Sequence, residues 1–147
     1  MTWHTSTVDG DIVIRDTIFE KADAAMRFCF GLGDDTDAGQ TAAGPLFKQD
    51  GDFFMFEAEI VDVERSGPSR SSPFRCFGTL GVSLMTKNSS RELYHRKLLE
   101  QTARWFADKT IRGIRFRSFL PVSTTQLIGF TSYSGVINFD FEMTQEQ

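Results

Sequence analysis

The chain has 147 residues, 40% apolar and 24% charged, with 16 basic and 20 acidic side chains (net −4), a balance that suits one soluble domain with a single core. No apolar run approaches the ~20 residues that span a bilayer. Met1–Gly10 lacks the basic-then-apolar order of a signal peptide, so a chain used in a cytoplasm, or carried from there in an assembly, is expected.

Met1–Gly10 is polar, with Trp3 as an anchor. From about Asp11 to Phe30 the spacing turns helical. Ile18, Phe19, Ala22, Ala25, Met26, Cys29 and Phe30 form an apolar stripe that Gly31 closes, although Asp11–Ile14 also fits the start of a strand. Residues 31–52 form a long Gly-, Asp- and Thr-rich acidic loop. Two long strands are predicted next, F-F-M-F-E-A-E-I-V-D-V-E-R (53–65) and F-R-C-F-G-T-L-G-V-S-L-M-T-K (74–87). The Ser/Pro/Arg segment between them cannot continue a ladder, so they pair as a hairpin. Gly78 and Gly81 weaken the second strand and suggest a bulge.

Ser89 to about Ile111 reads as the helix on which the rest is organised. Ser89 and Glu92 have capping-box spacing, and Tyr94, Leu98, Thr102, Trp105 and Phe106 recur at helical spacing, widened by Leu99 and Ala103. Gly113 supplies its stop. A third strand, Ile114–Leu120, ends at Pro121. An irregular connection follows to Ser134, and Gly135–Met143 alternates as a fourth strand with Ile137, Phe139, Phe141 and Met143 inward. The reading is one α+β domain over 1–147, order α-β-β-α-β-β, with an antiparallel or mixed four-stranded sheet and both helices on one face. The other face would carry Phe77 and Phe119 beside Arg75, Arg115 and Arg117. Such a mixture suits a protein interface and equally suits scattered exposed residues.

Catalytic and metal-binding patterns are sparse. The chain has two histidines; His4 lies in the terminal segment, and His95 lies between charged neighbours and reads as a surface residue. Glu57 and Glu59 share a strand face as an acid/base pair would, but outward strand carboxylates are ordinarily solvated. Asp34, Asp35 and Asp37 miss the Gly and Glu positions of an EF-hand, and G-L-G-D-D-T lacks the third glycine of a dinucleotide loop. Cys29 and Cys76 have no CxxC partner, so they read as buried thiols and not as zinc ligands. No cofactor or metal is expected.

Charge comes in blocks. Residues 1–64 hold 4 basic and 14 acidic side chains (net −10), residues 65–117 hold 12 and 3 (net +9), and residues 118–147 hold none and 3 (net −3). Such blocks can neutralise one another within the monomer, or steer the acidic part of one copy onto the basic part of another. Without a helix-turn-helix, zinc-finger or RRM signature the basic block does not argue sequence-specific nucleic-acid binding.

From about Phe53 to Met143 the pattern resembles the tail terminator (tail completion) proteins of tailed bacteriophages, lambda-like subunits among them. The likeness rests on the hairpin segments quoted above, the helix S-S-R-E-L-Y-H-R-K-L-L-E-Q-T-A-R-W-F, the strand G-I-R-F-R-S-F-L-P and the closing G-V-I-N-F-D-F-E-M. It implies a non-enzymatic virion protein, made in the host cytoplasm. The protein would form a hexameric ring on the tail tube, ending tube polymerisation and joining tail to head. Implied partners are other copies, the tail tube protein, the neck or connector protein, a sheath terminus where the tail contracts, and genomic DNA passing the lumen without sequence-specific contact; no membrane is implied. Alternatives are another neck or tail ring component (a head–tail connector), a small α+β hydrolase with its site in the 31–52 loop, and a non-specific nucleic-acid module. Arg65, Arg70 and Arg75 at the hairpin are the residues expected to touch a neighbouring subunit or the tube.

Overall fold

The computed structural model describes residues 4–22, 28–30, 52–65, 67–68, 72–87, 91–127 and 129–144. They form an α+β fold with two helices on a six-stranded sheet curled into a half-barrel. The elements are α1 (Val8–Lys21), β1 (Phe28–Phe30), β2 (Phe53–Arg65), β3 (Phe74–Thr86), α2 (Glu92–Ala103), β4 (Thr110–Ile111), β5 (Ile114–Leu127) and β6 (Phe130–Met143). In the sheet they lie in the order β1-β2-β3-β6-β5-β4. Every pairing is antiparallel except β1 with β2. The expected four strands are thus the four long ones, and a short strand is added at each edge.

One face of the sheet is covered. Val13, Ile14 and Ile18 of α1 and Leu99 and Ala103 of α2 share a core with Phe56, Leu80, Val82, Ile137 and Phe139 of the long strands. Gly10 lets α1 come close to the sheet, because a Cβ there would stand 3.0 Å from the Phe141 ring. On α2 the buried residues are His95, Leu99, Thr102 and Ala103, with Phe106 buried just beyond its end; all but His95 belong to the expected stripe. Tyr94 is exposed instead, with the Arg91 guanidinium over its ring.

Four expectations of extent change. The first helix ends at Lys21, where Ala22 turns extended (ψ 132°), and Phe28–Phe30 pairs with Phe54–Phe56 as a parallel strand. The central helix stops at Ala103, followed by turns in which Trp105 and Phe106 donate to Thr102 and Ala103 carbonyls. Gly113 is therefore no helix stop. Arg112 (φ 49°) and Gly113 (φ 85°) are the two centre residues of a tight hairpin between paired Ile111 and Ile114, the positive-φ pair that a type I′ turn requires. Finally, Pro121 does not end the third strand. It pairs with Gly135 on a stretch where, among the described residues, β5 has a strand neighbour on one side only, the kind of edge position at which a strand tolerates proline.

Bulges decide which residues face the helices. In β2 the register shifts between Ile60 and Asp62, opposite Gly78, so the predicted irregularity beside Gly78 sits on the partner strand. In β5 it shifts between Phe116 and Phe119 and again between Pro121 and Ser123. The first β5 shift turns Phe119 to the covered face, paired with Ile137 and packed against the core. This overturns its expected place on the outer face; Phe77 keeps its place there, in register with Asp140.

Candidate functional site

The face away from the helices grades from apolar to charged along the strands. At one end Phe53 and Met85 are buried with Met55 and Phe130 packed on them, the Phe53 and Phe130 rings meeting edge to face at 6.0 Å. Small polar residues follow. Ser83 and Ser134 share a hydrogen bond at 3.3 Å, and Gly81 lies in register between Glu57 and Val136.

The far end is ionic. Asp140 is almost fully buried yet carries a carboxylate, so it needs compensating charge. Arg75 Nη1 donates to its Oδ2 at 2.6 Å, and Arg117 Nε and Nη2 donate to its Oδ1 at 3.2 and 3.0 Å. Arg75 also lies 3.6 Å from Glu142. At the adjacent corner Glu64 and Asp62 crowd one another. A hydrogen bond that the protonated Glu64 carboxyl donates to the Asp62 side chain, then the Asp62 charge, then desolvation push the Glu64 carboxyl above its ordinary pKa.

Among the described residues the two sheet edges are open over much of their length, and they are unlike. β1 pairs only with Phe54–Phe56, so from Glu57 onward β2 has no neighbouring strand on its outer side among the described residues. That edge carries Glu57, Glu59, Asp62 and Glu64 against Arg65 alone, with Val61 and Val63 64% and 41% exposed. On the other edge β4 pairs only with Ile114 and Arg115. Bonds from Phe116 N–H to Lys109 O and from Asp108 N–H to Arg117 O carry the pairing to Arg117. Beyond that β5 is uncovered among the described residues, and Leu120 and Val122 are exposed. From Asp108 to Leu127 this edge holds Lys109, Arg112, Arg115 and Arg117 against Asp108 alone.

The chain matches no protein-family model and no curated protein.

The hairpin arginines separate. Arg65 is in register with Phe74 and lies 5.1 Å over its ring, on the helix-covered side. Arg75 points to the opposite face and is engaged by Asp140 and Glu142. Arg70 lies outside the described residues, as do the 31–51 stretch of the acidic loop and Ser89 of the expected capping box. The structure therefore does not bring Arg65 and Arg75 to one surface. The alternation of two-residue strand spacing, broken by one position across the hairpin tip, is what sequence spacing alone left open.

Both histidines are structural in position. His95 is not a surface residue: it is 3% exposed, its ring lies 5.8 Å from that of Tyr133, and its Nε2 is 3.3 Å from Asp52. Its Nδ1 has no hydrogen-bond partner among the described residues. His4 is buried as well. Its Nε2 donates to the Arg112 carbonyl at 2.7 Å and its Nδ1 lies 3.5 Å from Asp9, while Arg112 reaches Asp16 at 2.7 Å. Together these bonds tie the N-terminal segment, α1 and the β4–β5 turn. Glu57 and Glu59 are exposed along the β2 edge. Among the described residues no three His, Cys, Asp or Glu side chains are grouped to hold a metal ion. Cys76 is free and fully buried, and burial pushes its thiol pKa up; the Cys29 side chain is outside the described set.

Proposed function

We propose that this protein is a structural virion subunit, a tail terminator. It forms a ring on the end of a phage tail tube, stops tube growth, and offers the surface to which the neck or head docks. The observation that carries the reading is the pair of sheet edges, unlike in charge and open among the described residues, on one curled sheet. A subunit with an acidic apolar edge and a basic apolar edge is suited to heterologous contacts, which close into rings when the rotation closes. The order of elements, matching the one that the resemblance implies, supports the same reading. So does the outer face, whose apolar and arginine-rich ends resemble the composition of protein interfaces.

The role needs no catalysis and no cofactor. DNA passes the lumen in this proposal without base contacts. The test is addition of the protein to polymerising tail tube subunits, with tube length read by electron microscopy. Growth should stop, with tubes capped at one end; tubes that lengthen as if nothing had been added would refute the role.

A further inference from the structure

We infer that the contact between copies joins the β2 edge of one subunit, with the α1 flank beside it, to the β4–β5 edge of the next. This rests on the ring reading and goes beyond it, because it assigns the two surfaces that meet.

Three observations carry the assignment. The first is charge. β2 holds four acids and one base (net −3), whereas the β4–β5 edge from Asp108 to Leu127 holds four bases and one acid (net +3), with Arg112 and Arg117 paired to Asp16 and Asp140. Like charges crowded on one edge favour a partner of opposite sign, and the raised Glu64 carboxyl is a local sign of that crowding.

The second is height along the strands. The register aligns Asp62, Phe77, Asp140 and Arg115 across the sheet as one rung. At the same level an acid stands at the β2 edge and an exposed arginine stands one strand in from the other edge, where Thr110 of β4 pairs outside it. In a ring generated by rotation about an axis along the strands, equal heights of neighbouring copies come side by side, so Asp62 of one copy comes level with Arg115 of the next, across Thr110.

The third is apolar matching. Each edge adds exposed aliphatic side chains to its charges, Val61 and Val63 on β2 and Leu120 and Val122 on β5. Each also borders a groove against a helix. One of about 200 Å³ is lined by Val8, Asp11, Glu59 and Ile60, and one of about 210 Å³ by Arg96, Glu100, Phe119 and Val122. Pro121 and the β5 bulges make a continuous ladder between copies unfavourable. The contact is therefore made by side chains across the edges.

The test uses two full-length variants that change only exposed residues. In one, Glu57, Glu59 and Asp62 become lysine. In the other, Lys109 and Arg115 become glutamate. Circular dichroism confirms that each is folded. Sedimentation is then measured in free solution and on tail tubes. Wild type should form multimers in at least one of these settings, and each variant alone should lose them. An equimolar mixture should recover them, because the reversed edge of each variant complements the unreversed edge of the other. Multimers that survive either reversal, or a mixture that stays monomeric, would overturn the edge assignment. The terminator role fails separately: rings that form through these edges yet leave tube growth unchanged would sink it and leave the contact standing.

Discussion

At the scale of single residues, Asp140 shows how much of the outer face is built and how much is incidental. Its side chain is 4% exposed, whereas its two arginine partners are 37% and 48% exposed. Asp140→Ala removes the carboxylate and leaves two cations that water can reach, so the loss is that of a few charge-assisted hydrogen bonds and not of a stranded ion. Urea unfolding should show a cost of about 2 kcal/mol. Arg75→Ala should cost less, since Arg117 still holds the carboxylate. Glu64 gives a pH signature of opposite character. Its carboxyl binds a proton more readily folded than unfolded, so its contribution to stability is favourable below the unfolded pKa and is lost as pH rises through the folded one. Asp62→Asn removes the negative neighbour, and an NMR titration should find the Glu64 pKa lowered toward its ordinary value. An unchanged value would mean that Asp62 is not the cause.

At the scale of elements, the long alternating strands and the order of the fold were legible in the sequence. Ile137, Phe139 and Phe141 are buried as their spacing implies, because a period of two on one covered face leaves little freedom of register. What was not legible comes from residues whose environment is decided by distant neighbours. Phe119 alternates outward on paper, but a bulge three residues long on β5 against two on β6 turns it inward. Its ring then occupies the space over Gly135, where a Cβ would lie 2.1 Å from it. Gly135→Ala should therefore destabilise the fold by about 1–3 kcal/mol. Adding Phe119→Ala should recover part of that loss in a double-mutant cycle, and a strictly additive result would contradict the packing described. His95 misleads for a related reason. Charged sequence neighbours suggest a solvated face, yet the helix is rotated so that the imidazole packs against Tyr133, the rings tilted by 36°, with one nitrogen toward Asp52. The first helix ends before Phe28–Phe30, which pairs as an edge strand with rings meeting Phe19 and Phe56 edge to face, contacts to β2 that helical spacing alone does not disclose. The candidate arginines were legible as a charge cluster and not as a surface, because pleat parity sends Arg65 and Arg75 to opposite faces.

At the scale of the whole molecule, the blocks of charge along the chain become a left–right asymmetry of the sheet. The end of the acidic block, residues 1–64, supplies the β2 edge, and the end of the basic block, residues 65–117, supplies β4 and the start of β5. Part of the charge is settled internally, through Arg75, Arg117 and Asp140 and through Arg112 and Asp16. Among the described residues Glu57 and Glu59 on one side and Arg115 on the other are exposed and left to act outward. Screening at physiological salt reaches about 8 Å, so such edges steer only copies already close together, as subunits gathered on a tube end would be. The most direct measurement is an image of that tube end with the protein bound, reconstructed to the resolution of secondary structure. It should show a closed ring of copies, each with β2 toward the β5 of its neighbour. A bare tube end, or one holding isolated copies with both sheet edges free, would contradict the account.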